Sequence, residues 1–188
     1  MQSPLDRDRA LELLHQKIES PSLRKHSYAT EAIMRHLARH FGEPEDFFGI
    51  VGLLHDLDLE AIDNDMTRHG LITAEWLEAL GFPESALQAI RAHNGDILGI
   101  TPKTRLDFAL TAAESLTGLI SATALIYPSR KVKDVKLKSL RKRMREPRFA
   151  ANVSRELIGR HEQLGLDFDT FASIGLAAMS EIADDLGL

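Results

Sequence analysis

Residues 52–58, Gly-Leu-Leu-His-Asp-Leu-Asp, set an imidazole and a carboxylate, His55 and Asp56, at the end of an apolar run, DFFGIVGLL. Burying either group without a partner is costly, and far more so if it is charged. A metal ion, a catalytic hydrogen bond and a helix C-cap are the three arrangements that satisfy such a pair. Other polar residues make similar claims on the interior. His26 precedes Ala29, Ile33 and Leu37 at offsets of 3, 7 and 11, which puts it on the apolar face of a helix. His93 follows Ala86, Ala89 and Ile90 at offsets of 7, 4 and 3, and it too faces inward. His69 stands just before a helical pattern, and the loop AIDNDMTR is long enough to return it towards His55. Glu114 is the only charged side chain between Phe108 and Ser129. A carboxylate alone in so apolar a helix takes up a proton or sits beside a cation. Singly, an inward histidine is more commonly a hydrogen-bonded core residue than a ligand. Jointly, His26, His55, Asp56, His69, His93 and Glu114 call for one shared partner. His36 and His40 are spaced by four but lie near a helix C-terminus, where imidazolium is favoured, and His15 and His161 lack a carboxylate-rich context.

The elements that must position these residues are helical throughout. Helices are expected at about 5–18, 21–41, 44–57, 70–80, 83–93, 104–127, 136–145, 150–163 and 167–186, with Gly and Pro breaks between them and Pro44 and Pro83 in first turns. No stretch alternates with period two for long enough to make a strand. The fold class is all-α, a single-domain helical bundle over residues 1–188, with the candidate residues in about 20–127 and basic and C-terminal helices in about 130–188. The chain has 188 residues, enough to bury a large core without staples, and no cysteine, which removes disulfides, thiolate nucleophiles and thiolate-bound zinc. The N-terminus lacks the apolar middle of a signal peptide, which points to a cytoplasmic protein. The one apolar stretch of membrane length, residues 108–127, carries Glu114 and several Ser and Thr, so it is expected to be a core helix, with no membrane partner. Net charge is −5 overall, yet residues 130–148 carry ten Lys or Arg against Asp134 and Glu146, a local +8 that leaves −13 elsewhere. Such a segment is a solvated basic face or a surface that meets phosphate.

His26, then Leu-Leu-His-Asp at 53–56, His69-Gly70, Ala92-His93-Asn94 and Ala-Ala-Glu-Ser-Leu-Thr-Gly at 112–118 together resemble the HD-domain superfamily of metal-dependent phosphohydrolases. The resemblance runs from about His26 to Ile120. It is nearest to a widespread bacterial and archaeal branch, in which it extends through the basic segment to the C-terminus, and the spacing from His69 to the acidic position is similar to that of members that split dinucleoside polyphosphates. It implies a helical bundle of the HD-domain type carrying one or two divalent metals. His26, His55, Asp56 and Glu114 would hold the first, and Asp56 would bridge to a second held by His69 and His93. Two departures stand out. The last acidic position is usually Asp where this chain has Glu114, and no Gly follows the His-Asp pair, where His-Asp-Leu-Asp stands, which leaves Asp58 available behind the ligands or for proton transfer, so Asp56 and Asp58 are the catalytic candidates.

Imidazole and carboxylate donors without thiolate suit Mn, Fe, Co, Ni or Zn, with Mn or Fe favoured. The activity implied is hydrolysis of a phosphate ester or anhydride in a nucleotide or other small phosphorylated molecule by a metal-activated water. Arg24, Lys25, Lys133, Lys136, Arg141 and Arg155 are the candidate phosphate contacts, each weighed against an ordinary solvated charge. A di-iron oxygenase using the same ligand set, and a non-enzymatic nucleotide- or nucleic-acid-binding module using the basic segment, are the alternatives. Overall acidity disfavours nucleic acid as a partner. No GxxxxGK[ST], GxGxxG or GxSxG motif supports a kinase, dehydrogenase or serine-hydrolase reading.

Overall fold

Helix α1 (Arg7–Lys17) is capped by Asp6, and α2 (Pro21–Phe41) begins with Ser20 as its cap and Pro21 in its first turn, where a missing N–H costs nothing. The computed structural model describes residues 3–63 and 65–188; Met1, Gln2 and Asn64, the last inside the loop before His69, lie outside them. Apolar residues recur on one face of α2, so Ala29, Ile33, Met34 and Leu37 are buried, and Gly42 ends the helix in the left-handed region. α3 (Glu45–Leu54) is apolar nearly all round and buried from Phe47 onward. It can approach α2 closely because Gly52 faces that helix: a Cβ there would lie 2.9 Å from Met34 Cγ and 3.1 Å from the Thr30 carbonyl oxygen.

α4 (Leu71–Ala79) and α5 (Glu84–His93) follow, with a short α6 (Gly95–Leu98) after them. α7 (Arg105–Leu125) opens with a reciprocal cap in which Thr104 accepts from the Asp107 N–H and Asp107 accepts from that of Thr104. Fourteen of its residues are buried, so it runs through the middle of the fold. Two thirds of its most apolar window is covered by protein, which accounts for that apolarity as core. A 3₁₀ turn at Val132–Asp134, α8 (Leu137–Met144), α9 (Arg155–Gly159) with a 3₁₀ turn at Arg160–Leu164, α10 (Phe168–Glu181) and α11 (Ala183–Leu186) complete the chain. α10 lies where α2 and α7 meet, since a Cβ on Gly175 would touch Leu116, Ile120 and Ile33. The described residues contain no strand, and the all-α class is observed.

The elements differ from expectation at several points, among them the short α6, which no expected helix covers. The helix expected over 44–57 stops at Leu54, because the chain turns at His55 and continues in turns through Asp63. The helix expected over 150–163 starts only at Arg155, since residues 149–153 fold into a turn with Ala150 at φ 44°, a left-handed conformation no helix continues through. The last helix breaks at Ile182 into α10 and α11. Pro44 and Pro83 also stand one place earlier than expected, as caps.

Filling the contact between α2 and α3 tests this packing. Gly52→Ala should destabilise the protein by about 1–3 kcal/mol, the usual cost of overpacking a tight core. Urea unfolding with an unchanged slope and a lower midpoint is the expected result, and an unshifted midpoint would show that the helices part easily.

Candidate metal centre

Five elements deliver the polar core. α2 supplies His26 from its inward face, the end of α3 supplies His55 and Asp56, the turn before α4 supplies His69, α5 ends on His93, and the middle of α7 supplies Glu114. All six side chains predicted as ligands converge. His55 is fully buried and His69, His93 and Asp56 nearly so, whereas the side chains of His26 and Glu114 are 25% and 20% exposed, so the cluster opens to solvent on their side.

Each imidazole is held by its far nitrogen. His55 Nδ1 donates to the Gly52 carbonyl at 2.8 Å, His93 Nδ1 to that of Ile90, His69 Nδ1 to Asp58 Oδ1 at 2.7 Å and His26 Nδ1 to Thr117 Oγ1 at 3.0 Å. Thr117 can accept because its own proton goes to the Glu114 carbonyl at 2.6 Å. With all four Nδ1 atoms protonated, all four Nε2 atoms turn their lone pairs inward. They meet in two pairs, His26 with His55 at 3.2 Å and His69 with His93 at 2.8 Å. Asp56 lies between the pairs, with Oδ1 3.2 Å from His55 Nε2 and 3.4 Å from those of His69 and His93, and Oδ2 3.4 Å from His26 Nε2. Glu114 Oε2 stands 4.0 Å from His26 Nε2 while Ser115 donates to its Oε1 at 2.8 Å. Two triads have ligand atoms within 4.8 Å of one another, His26–His55–Glu114 and His55–Asp56–His93, and His69 joins the second through His93 and Asp56.

Two neutral lone pairs face to face repel, so each imidazole pair needs a cation between its nitrogens. Without metal that cation is a proton, and the electrostatics assign it. Burial opposes a charge on His69, but hydrogen bonds to Asp56 and Asp58 outweigh it and push this imidazole up to about 9. Burial likewise opposes His55, but the Asp56 charge and hydrogen bond raise it. Burial dominates at His26 and His93 and lowers both, leaving them neutral acceptors. Asp56, which burial alone would raise, is held well below the ordinary carboxylate range by the charge on His55 and by hydrogen bonds from His55 and His69. Burial, with the Asp56 charge beside it, raises Glu114. The donors fit a divalent transition metal: oriented imidazoles, shared carboxylates and no thiolate.

Asp58 faces away from the open side. It is fully buried and accepts from the Gly70 and Thr73 N–H groups at 2.8 and 3.0 Å as well as from His69, so its oxygens hold His69 and the start of α4. Sequence reasoning missed Thr117 and Asn94. Asn94 donates to the carbonyls of Met66 and His69 at 2.8 and 3.0 Å and pins the loop carrying His69. Both stand inside the motifs that carry the family resemblance, Asn94 beside His93 and Thr117 three residues after Glu114, but neither was given a role.

The basic candidates are not gathered at the cluster in the same way. Arg24 donates to the Ile18 and His15 carbonyls, and Arg141 pairs with Asp169. Arg155 is spent on backbone carbonyls of residues 143–153. Lys25, Lys133 and Lys136 are exposed, and Lys25 reaches towards Gly187. His36 pairs with Glu181 at 3.0 Å, His15 meets the Tyr28 hydroxyl, and the buried His161 donates to the Leu166 carbonyl; none of these joins the cluster.

Two outcomes follow from the proton assignment. Below about pH 9 metal must displace the proton on His69, so affinity should rise with pH, about tenfold per unit for each proton displaced, and level off near 9. Calorimetric titration in buffers of different ionisation heat would read the released protons, and a pH-independent affinity would contradict the assignment. Asp58→Asn turns an amide N–H towards His69 Nδ1 and so imposes the wrong tautomer. It should weaken metal binding by about 10- to 100-fold, with helical content retained. Unchanged affinity would remove Asp58 from this role.

Comparison with known proteins adds a single match. No curated protein and no solved structure matches this chain, whereas the family model described as HD domain matches residues 23–120, a span that takes in His26, His55, Asp56, His69, His93 and Glu114. The match covers more than half of the chain and every member of the imidazole–carboxylate cluster, and the protein belongs to the HD-domain family, a superfamily of metal-dependent hydrolases.

Proposed function

We propose that this protein is a phosphohydrolase that uses one or two divalent transition-metal ions, Mn or Fe foremost, to cleave a phosphate ester or anhydride in a nucleotide or other small phosphorylated molecule. The observation that carries this is the convergence of four inward Nε2 atoms on Asp56 in a cluster open only beside His26 and Glu114. When bound there, divalent metal supplies a water of lowered pKa and positive charge for phosphoryl oxygens.

The chain's own residues do the rest. His26, His55, Asp56 and Glu114 form one donor set and Asp56, His69 and His93 the other, so Asp56 is shared. No side chain in the cluster is free to attack: the Ser115 hydroxyl is bound to the Glu114 carboxylate and that of Thr117 to the Glu114 carbonyl and His26. Water is therefore the nucleophile this site favours. Substrate enters from the His26–Glu114 side, because Asp58, His69 and His93 close the opposite one.

The test is phosphate release from a panel of nucleotides and phosphate esters by protein stripped of metal and reloaded separately with Mn, Fe, Co, Ni or Zn. Solvent ¹⁸O should appear in the phosphate, and His55→Ala or Asp56→Ala should abolish metal binding and turnover together. Bound iron with an oxygen-sensitive visible spectrum and oxygen uptake without phosphate release would favour an oxygenase instead. Glu114 gives a finer test. Its Oε1 is anchored by Ser115, and shortening the side chain by one methylene withdraws both oxygens from a site with little slack. Glu114→Asp should bind metal more weakly than wild type although Asp is usual at this position in the family, and Glu114→Gln should bind it more weakly still. Equal affinity in all three would take Glu114 out of the donor set.

A further inference from the structure

The chain between α8 and α9 makes an unusual use of one cation. The Arg155 guanidinium donates to five backbone carbonyls, those of Arg143, Glu146, Phe149, Ala150 and Val153. It gathers residues 143–153 into a closed loop and holds Ala150 at φ 44°. This loop lies on α7: a Cβ on Gly118 would come within 2.9 Å of Val153 Cγ2. Gly118 is four residues beyond Glu114, hence one turn along the same face of the helix. Glu114 and His26 are the two most exposed members of the cluster. The Arg155-held loop therefore stands beside the open side of the centre.

The cations of this segment divide into spent and free. Arg141 pairs with Asp169, Arg143 with Glu146 while stacking on Phe149, and Lys142 with Glu146 at 3.8 Å. Arg145 lines a groove with Asp167 and Asp169 on the α10 side. Arg148, in the loop itself, is exposed and has no carboxylate partner among the described residues. A planar guanidinium on a pre-formed loop beside a metal-binding cluster suits bidentate recognition of a phosphoryl group. Resting on the phosphohydrolase reading, we propose that residues 144–154 form one wall of the substrate site, with Arg155 as the positioning residue that holds it and Arg148 as the contact to phosphate oxygens remote from the bond that is cleaved. This places the substrate among molecules with at least two phosphoryl groups or a second anionic group.

The experiment uses the full chain, inorganic pyrophosphate as the probe, and two readouts that do not depend on turnover. Trypsin reports the loop, because cleavage after Arg143, Arg145 or Arg148 requires it to open. Arg155→Lys keeps the charge but loses the fork, and it should speed this cleavage about tenfold or more while metal content and circular dichroism stay as in wild type. Arg148→Ala, at the surface and unable to disturb the core, should weaken pyrophosphate binding about tenfold. Pyrophosphate should also slow cleavage in wild type but not in Arg148→Ala. Lys138→Ala, which removes an equal charge on the exposed face of α8, is the control and should leave affinity unchanged. Wild-type pyrophosphate affinity in Arg148→Ala, or an equal loss in Lys138→Ala, would overturn the phosphate contact. Wild-type trypsin resistance in Arg155→Lys would overturn the positioning role. Loss of pyrophosphate binding in Arg148→Ala from a protein that hydrolyses nothing would keep the anion site and reject only the phosphohydrolase reading.

Discussion

A neutral imidazole has one lone pair, and the arrangement of this protein turns on where four of them are made to point. Gly52 and Ile90 offer carbonyls, Asp58 a carboxylate and Thr117 a hydroxyl, and each takes the Nδ1 proton of one histidine. The Nε2 atoms are thereby turned on one another at distances that demand a cation. Histidines satisfied by each other would need no such supports. Their presence behind all four rings marks a site built to hold positive charge, with protons as its occupants when metal is absent.

The helical packing serves this geometry. His26 and Glu114 lie on different long helices, α2 and α7, and their separation depends on how these cross α3 and α10. The small residues at the crossings matter for that reason: Gly52 brings α3 against α2, and Gly175 seats α10 on both α2 and α7. Gly70 has a related task at the next step of the chain. Its φ of 81° and its approach to the Ile90 carbonyl set His69 beside His93, where a Cβ would meet that oxygen at 2.9 Å. The backbone compactness demanded by the site is thus met at a few positions where a side chain has been omitted.

Charge is graded from the closed side of the cluster to the open one. Asp58 and Asp56 are ionised against protonated imidazoles, whereas Glu114, raised by burial and by the Asp56 charge, is the carboxylate readiest to take a proton. The basic run of residues 130–148 lies on elements that follow α7, so its charge is separate from the cluster's own balance. Arg141, Lys142 and Arg143 in it are spent on neighbouring carboxylates, and Arg155, at first sight another surface cation, is an internal tie.

Helical periodicity made the all-α class, the inward faces of His26 and His93 and most element positions legible, because burial in a helix leaves a repeat of 3.6 that a linear reading can detect. The order of histidines and acids was equally legible as a family pattern. Termination of α3 at Leu54 was not, because it depends on the His55 ring meeting the Gly52 carbonyl and on the Asp58 backbone meeting Thr73, contacts formed only when the turn has folded. The family pattern set Asp56 among the ligands and Asp58 behind them, but it did not show which groups the Asp58 oxygens hold. Two residues along a turn, those carboxylates face different partners, and only tertiary packing chooses them. The same holds for Thr117 and Arg155, whose types are ordinary and whose roles arise from what lies across from them. Residue chemistry and periodicity determined that this chain would bury a set of imidazoles and carboxylates; which nitrogen of each ring points inward was decided by the folded structure, because a tautomer is fixed by its hydrogen-bond partner and those partners come from elsewhere in the chain.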